Sequence, residues 1–133
     1  LRGWEAEGLV EWWGFREDMA AVFAGCQVVT LPSMGEGLPT ALIEAAACGR
    51  PIVTTNVPGC RDVVQDGVNG LLVAPNQPQA LAEAIERLLD DPDLRQRFGQ
   101  ASRQIALERF RNQVINERTL AVYQSVLERV TGR

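Results

Sequence analysis

The sequence predicts an α/β fold built on a doubly wound parallel sheet and completed by C-terminal helices. Short apolar segments that suit buried strands alternate with segments that suit helices along the first half of the chain. Helical patterns alone fill the second half. Because parallel strands are joined by crossover helices that cover both faces of the sheet, such strands are short and largely apolar, as these are.

Four segments are predicted to be strands, and each has a Gly or Pro within it or beside it. They are Leu9–Trp13, Val28–Leu31, Pro51–Thr55 and Gly70–Val73. A nucleotide-binding half of this kind has about six strands. We therefore expect residues 1–133 to be one partial domain that lacks its first one or two βα units.

The predicted helices begin and end at residues with suitable capping chemistry. Asp18 suits the N-cap of MAAVFAGC, which should end near Gly25. Pro39 suits the first position of the next helix, and Gly49 suits its left-handed stop. A brief helical piece is predicted at Arg61–Gln65.

The C-terminal helices are predicted to be packing elements. Pro78 opens ALAEAIERLLDD, Asp91-Pro92 starts a second helix, and the last runs from about Asn112 to Val130. Apolar side chains recur at helical spacing on the first and the last of these helices. They are Leu81, Ile85, Leu88 and Leu89 on the first, and Ile115, Val122, Tyr123, Val126, Leu127 and Val130 on the last.

Composition argues against several classes of function. The 13 basic and 17 acidic residues give a net charge of −4, and no basic cluster suits a nucleic-acid backbone. The absence of histidine removes the usual neutral-pH base and the commonest metal ligand. The three cysteines follow no metal-binding spacing. We therefore expect no nucleic-acid partner and no zinc site.

The sequence has neither an apolar run of about 20 residues, the length needed to span a bilayer, nor a signal-peptide pattern at its start. Reduced cysteines packed as small hydrophobes would suit the cytosol. We expect a soluble, cytoplasmic protein. A contact of the whole protein with a membrane surface remains open.

The stretch GEGLPTALIEAAACGRP contains the candidate site. Ligands of an open α/β sheet lie outside the carboxyl ends of its strands, where helices begin. The helix after Val28–Leu31 should therefore point its free N–H groups into that crevice, and such an end binds phosphate. Pro39 has no N–H, so the donors would be the amides of Thr40 and Ala41, with the Thr40 hydroxyl as a third candidate.

Two glutamates flank this predicted phosphate site. Glu44 lies one helical turn beyond Thr40, about 6 Å along the axis, which suits a carboxylate that accepts both ribose hydroxyls of the same nucleotide. Glu36 precedes the helix, and its carboxylate could accept hydroxyls from the group that the diphosphate carries. A sugar is the obvious choice.

The order of several motifs resembles the C-terminal donor-binding domain of retaining glycosyltransferases of the GT-B fold, from about Val10 to Val130. The motifs are GFRED, VVTLPS, GEGLPTALIEAAACGRPIV, TTNVPG, DGVNGLLVAP and QPQALAEAIERLLDDPDLRQRFGQAS. The resemblance implies a Rossmann-like half of that fold. It also implies transfer of a sugar from a nucleoside diphosphate sugar, without metal or cofactor, to an acceptor bound by a separate N-terminal domain.

In that family the glutamates of an E-x7-E motif match Glu36 and Glu44. The resemblance assigns Glu36 to the donor sugar, as the catalytic candidate, and Glu44 to the ribose. The backbone of the loop Gly14–Arg16 would contact the base. The donor-binding residues implied in this way are Glu36, Gly37, Leu38, Pro39, Thr40, Ala41, Glu44 and Arg16.

Simpler interpretations stand beside these. Glu36 could be an exposed loop residue, Thr40 a helix-start residue, and Glu44 a partner of Arg50 or Arg61 in an ion pair. Aromatic residues that could stack on a base or a sugar are more often packing residues, and these are Trp4, Trp12 and Trp13. As alternatives to a transferase, the same site would suit a nucleotide-sugar sensor without turnover, or an epimerase of the same fold.

Overall fold

The computed structural model describes residues 2–131. Within that range three strands alternate with helices, and three longer helices complete the chain. The strands are β1 (Val29–Leu31), β2 (Ile52–Thr55) and β3 (Gly70–Val73). The helices are α1 (Arg2–Ala6), α2 (Met19–Gly25), α3 (Thr40–Ala47), α4 (Pro58–Val63), α5 (Pro78–Asp90), α6 (Pro92–Arg109) and α7 (Asn112–Thr131).

The sheet is parallel and runs in the order β1-β2-β3. Val29 of β1 lies opposite Ile52 of β2, and Val53 lies opposite Leu71 of β3. Each connection between neighbouring strands contains a helix: α3 lies between β1 and β2, and α4 lies between β2 and β3. The parallel α/β prediction is therefore confirmed.

Apolar residues lie on both faces of the sheet because consecutive residues of a buried strand point to opposite sides. On one face Ile52 packs in a cluster with residues of α2, α3 and α4, among them Leu42. On the other face Val53 packs with Leu88 of α5 and Phe98 of α6. The sheet is thus covered on both sides, as a doubly wound arrangement requires.

Several predicted helix ends are confirmed. The Asp18 carboxylate accepts a hydrogen bond of 3.1 Å from the Ala21 N–H at the start of α2. After α3, Gly49 adopts a φ of +68°. The Gly49 and Arg50 N–H groups donate to carbonyls of the last helical turn, at Ala46 and Ala45. Asp91 likewise caps α6.

Two predicted boundaries are wrong by a few residues. Pro39 is the N-cap of α3 rather than its first residue, because its backbone is extended and its carbonyl accepts from the N–H groups of Leu42 and Ile43. The piece predicted at Arg61–Gln65 is α4, which ends at Val63. The Asn69 carboxamide ends this helix: it accepts from the Gln65 N–H at 2.7 Å and donates to the Val63 carbonyl.

The predicted strand Leu9–Trp13 is wrong, so the described sheet has three strands and not four. The segment forms no β-pairing, the N–H groups of Leu9 and Val10 both donate to the Trp4 carbonyl, and Trp12 is 76% exposed. A strand needs a hydrogen-bonded neighbour, and within residues 2–131 β1 pairs only with β2. The apolar pattern alone could not reveal that this neighbour is absent from the described chain.

The prediction that the last helix packs through its apolar face is also wrong for the described residues. Helix α7 packs on α6, but the six apolar side chains named above for this helix are all exposed. Within the same range, no helix is both long enough and apolar enough for a bilayer span.

Candidate functional site

The candidate site lies at the carboxyl edge of the sheet, where β1 ends at Leu31 and the chain turns toward α3. The connecting loop, residues 32–39, contains Glu36. Because the strands are parallel, β2 and β3 end at the same edge, at Thr55 and Val73. This is the edge at which ligands of open α/β sheets bind.

Two buried threonines of β2 form hydrogen bonds with the end of β1 and the beginning of the loop. The Thr54 hydroxyl donates to the Leu31 carbonyl at 2.7 Å, and the Thr55 hydroxyl donates to the Ser33 carbonyl. The Ser33 hydroxyl donates in turn to the Gly35 carbonyl at 3.1 Å. The first half of the loop is therefore tied to a strand in the core of the sheet.

The second half of the loop lies directly against α4. At Gly59 an added Cβ would lie 2.6 Å from the Glu36 carbonyl oxygen and closer still to that of Gly37. Real Cβ atoms essentially never approach another atom this closely. Only glycine allows this approach of the two backbones.

The N-terminus of α3 opens toward solvent. Pro39 is its N-cap and offers no side-chain acceptor, and within residues 2–131 no side chain accepts from the N–H groups of Thr40 and Ala41. Thr40 and Ala41, which follow, are exposed. The first N–H groups of a helix have no acceptor within the helix and bear partial positive charge, so these two amides can receive an anion.

Glu36 and the residues after it lead directly into this helix end. Glu36 is half-buried, and within residues 2–131 its carboxylate has no hydrogen-bond or ion-pair partner. Gly37 and Leu38 are exposed, whereas Pro39 is buried and acts through its backbone. Glu36 is therefore a half-buried side chain, not the freely exposed loop residue of the simpler interpretation.

Glu44 lies on the exposed side of α3, although its sequence neighbours are apolar. Leu42, Ala45 and Ala46 face the core, so the carboxylate avoids burial without needing a partner. It lines a cavity of about 330 Å³ between α2 and α3. The cavity is lined by Glu17, Asp18, Met19, Ala20, Phe23, Glu44, Ala47 and Cys48.

The ion-pair alternative for Glu44 is wrong. The Arg50 guanidinium donates to the carbonyls of Cys48 and Cys26, at 3.2 and 3.0 Å. The Arg61 guanidinium donates to both oxygens of Asn56. Within residues 2–131 the Glu44 carboxylate is unpaired beside a cavity, which leaves it available to a ligand.

Arg16 lies apart from the two glutamates. It is exposed and lines a separate depression of about 220 Å³ beside Trp13 and α2. The structure does not bring Arg16 into the Glu44 cavity, and a role in donor binding stays a prediction. The side chains of Trp4, Trp12 and Trp13 are exposed, so none of them packs in the core of the described residues.

A larger cavity, of about 630 Å³, lies at the opposite end of α3, beside Arg50 and Arg103. Both arginines donate to backbone carbonyls at the C-termini of neighbouring helices, which accounts for their positions. Size alone therefore does not identify the site.

Sequence reasoning missed two residues of the site. Glu17 lines the same cavity as Glu44, and Gly59 contacts the Glu36 loop. The sequence signal for Glu17 was its position next to Asp18, the N-cap of α2. For Gly59 it was the turn NVPG directly after a buried strand. Neither signal specifies a contact, because both contacts join segments that are distant in sequence.

Within residues 2–131 no group of three or more histidine, cysteine, aspartate or glutamate side chains is arranged to hold a metal ion. The candidate site offers the free N–H groups at the start of α3 and two carboxylates, Glu36 before the helix and Glu44 on its exposed side. Such a set suits a ligand with a central anion and hydroxylated groups on either side.

Fold and site together define a doubly wound α/β domain with an anion-receptive helix end at the carboxyl edge of its sheet. The family model described as "Glycosyl transferases group 1" matches residues 4–105. The chain belongs to this family, which confirms the resemblance stated from the sequence motifs.

Named relatives agree with this membership. The chain is 33% identical over 123 residues to the N,N'-diacetylbacillosaminyl-diphospho-undecaprenol alpha-1,3-N-acetylgalactosaminyltransferase of Campylobacter jejuni, covering 92% of this chain and 32% of that protein. It is 36% identical over 117 residues to the MMP alpha-(1->4)-mannosyltransferase of Mycolicibacterium hassiacum, covering 87% and 28%. The chain thus spans about a third of each relative's length.

Solved structures of the same fold include the Anabaena protein Alr3699/HepE. In its complex with UDP-glucose the TM-score is 0.84 at 30% identity, over 93% of this chain and 35% of that chain. The complex of the same protein with UDP gives a TM-score of 0.86.

Proposed function

We propose that this chain is the donor-binding part of a retaining glycosyltransferase, which transfers a sugar from a nucleoside diphosphate sugar to an acceptor hydroxyl. The observation that supports this proposal most strongly is the solvent-exposed N-terminus of α3. Within residues 2–131, the Glu36 carboxylate before this helix and the Glu44 carboxylate one turn inside it are both unpaired. The UDP and UDP-glucose complexes of the Anabaena relative support the same ligand class.

In this proposal the α3 N-terminus binds the diphosphate through the amides of Thr40 and Ala41. Transfer breaks the bond between the sugar and the distal phosphate, so negative charge grows on the leaving diphosphate. Fixed N–H dipoles aimed at that charge stabilise the transition state more than the ground state. The chain thus contributes to catalysis chiefly by electrostatic stabilisation and by positioning.

Glu44 accepts the ribose hydroxyls, and Glu36 accepts hydroxyls of the donor sugar. Neither acts as a base. The acceptor proton goes to the leaving phosphate, in keeping with the family resemblance. In this proposal a separate N-terminal domain of the full-length protein binds the acceptor, and the cations that neutralise the diphosphate lie on strands and loops that precede this region. No metal or cofactor takes part.

A panel of sugar nucleotides tests this proposal on the full-length protein. We expect one class among UDP-, GDP- and ADP-sugars to raise the melting temperature. A ligand at a hundred times its Kd stabilises the folded state by about 2.7 kcal/mol. Release of nucleoside diphosphate on adding acceptor distinguishes a transferase from a sensor. If no sugar nucleotide raised the melting temperature, the proposal would fail.

The sugar-side role of Glu36 makes a separate prediction. Glu36→Ala should leave the affinity for free nucleoside diphosphate nearly unchanged and reduce the preference for the sugar-bearing form, because only that form offers hydroxyls to this carboxylate. Calorimetric titration with both ligands measures the difference. Glu86→Ala, an exposed glutamate on α5, is the matched control. Equal losses for the two ligands would contradict the sugar-side role.

A further inference from the structure

We infer that Gly59 is a positioning residue for Glu36: the close approach of α4 to the Glu36–Gly37 backbone holds the carboxylate toward the donor sugar. This inference rests on the proposed function and deepens it. Gly59 is buried and contacts the loop through backbone, not through a side chain.

The contact leaves no room for a methyl group. A Cβ on Gly59 would lie 2.6 Å from the Glu36 carbonyl oxygen and 2.8 Å from its carbonyl carbon, with the Gly37 oxygen closer than either. All three atoms belong to backbone, so no side-chain rotation can relieve the overlap. One of the two backbone segments must move.

The surroundings decide which segment moves. Helix α4 is anchored in the core through Cys60 and Val63, both of which are fully buried. The loop is anchored at its beginning, where Thr55 bonds the Ser33 carbonyl, but Gly37 and Leu38 are exposed. The overlap is therefore relieved by displacement of residues 36–37 toward solvent.

This displacement should disturb the sugar end of the donor site and leave the ribose end unchanged. Glu44 lies in the body of α3, which is held in the core by Leu42, Ala45 and Ala46. The ribose side should therefore keep its geometry while the Glu36 carboxylate moves. A misplacement of about 1 Å can cost up to roughly a hundredfold in activity.

The experiment is a double-mutant cycle in the full-length protein, with Gly59→Ala, Glu36→Ala and the double variant. Gly25→Ala is the matched control, because Gly25 has an ordinary φ and nothing within 4 Å of an added Cβ. Each variant is titrated calorimetrically with the nucleoside diphosphate and with the nucleoside diphosphate sugar. The acceptor reaction gives kcat and KM, and thermal unfolding gives the melting temperature.

We expect Gly59→Ala to reduce affinity for the sugar-bearing form on the order of tenfold, with free nucleoside diphosphate within about twofold of the parent. The double variant should then bind like Glu36→Ala alone, because a displaced loop cannot misplace a carboxylate that has been removed. Gly25→Ala should match the parent. Thr55→Val, which removes the bond to Ser33, should weaken the same preference by a smaller factor, and it tests the inference if Gly59→Ala does not fold.

Additive losses in the double variant, or equal losses for both ligands, would overturn the inference and leave Gly59 a purely structural residue. Unchanged sugar affinity in Gly59→Ala together with a loss in Glu36→Ala would overturn the inference alone. If Glu36→Ala itself kept the parent's affinity for the sugar-bearing form, the role of Glu36 in the proposed function would fail, and the inference with it.

Discussion

Glu44→Ala is expected to weaken nucleoside diphosphate binding roughly thirty- to a hundredfold, on the order of 2–3 kcal/mol. A carboxylate that accepts two hydroxyls of one ribose makes two charge-assisted hydrogen bonds. Its removal leaves both hydroxyls without an acceptor in the cavity between α2 and α3. The free carboxylate is exposed, so the variant should fold as stably as the parent.

Calorimetry with ribonucleoside and deoxyribonucleoside diphosphates separates this role from general electrostatics. The parent should prefer the ribose form, and Glu44→Ala should bind both forms almost alike. Glu17→Ala is an informative control, because Glu17 lines the same cavity from α2's side. It removes one negative charge near the diphosphate without removing the proposed ribose acceptor. Equal affinity of Glu44→Ala and the parent for the ribonucleotide would show the ribose assignment to be wrong.

Leu42→Ala is expected to reduce the free energy of unfolding by about 3 kcal/mol, within the usual range of roughly 2–5 for a buried leucine. Leu42 is 0% exposed and packs in the cluster that joins α3 to β2 and α4. Truncation removes apolar surface from the core and leaves a cavity. Because the same helix presents Thr40 and Glu44, ligand binding should weaken only as far as the folded fraction falls.

Urea unfolding of the variant and its parent measures this effect, as a lower midpoint at unchanged slope. Leu89→Ala is the matched control: it makes the same chemical change at a position that is 44% exposed on α5. Its cost should be within about 1 kcal/mol. Similar losses for the two variants would mean that α3 does not pack as described.

In the proposed function, different parts of the fold recognise the two ends of the donor. Glu44 is held by a helix that is buried along one face. Glu36 is held by a loop whose position depends on β2 and on α4. Under the proposed roles, we expect changes in the turn NVPG to alter recognition of the sugar without altering recognition of the ribose. This independence would let related domains vary their donor sugar while they keep one nucleotide.

Features that depend on neighbours in sequence could be predicted before the structure was known. Asp18 caps α2 through an N–H three residues away, and Gly49 ends α3 because glycine readily adopts a positive φ. The spacing of Thr40 and Glu44 places them one turn apart on any helix. The family motifs, read in order, predicted the family that the comparisons then showed.

Features that depend on residues distant in sequence could be seen only in the folded chain. Leu9–Trp13 has a strand-like composition, yet it joins no sheet within the described chain. Glu44 is exposed although its sequence neighbours are apolar, because α3 packs in the core through Leu42, Ala45 and Ala46. Gly59 contacts the Glu36 backbone although the two residues are 23 positions apart in sequence, a contact that no local pattern encodes. Capping and periodicity act within one or two turns of a helix, whereas pairing and burial require the rest of the fold.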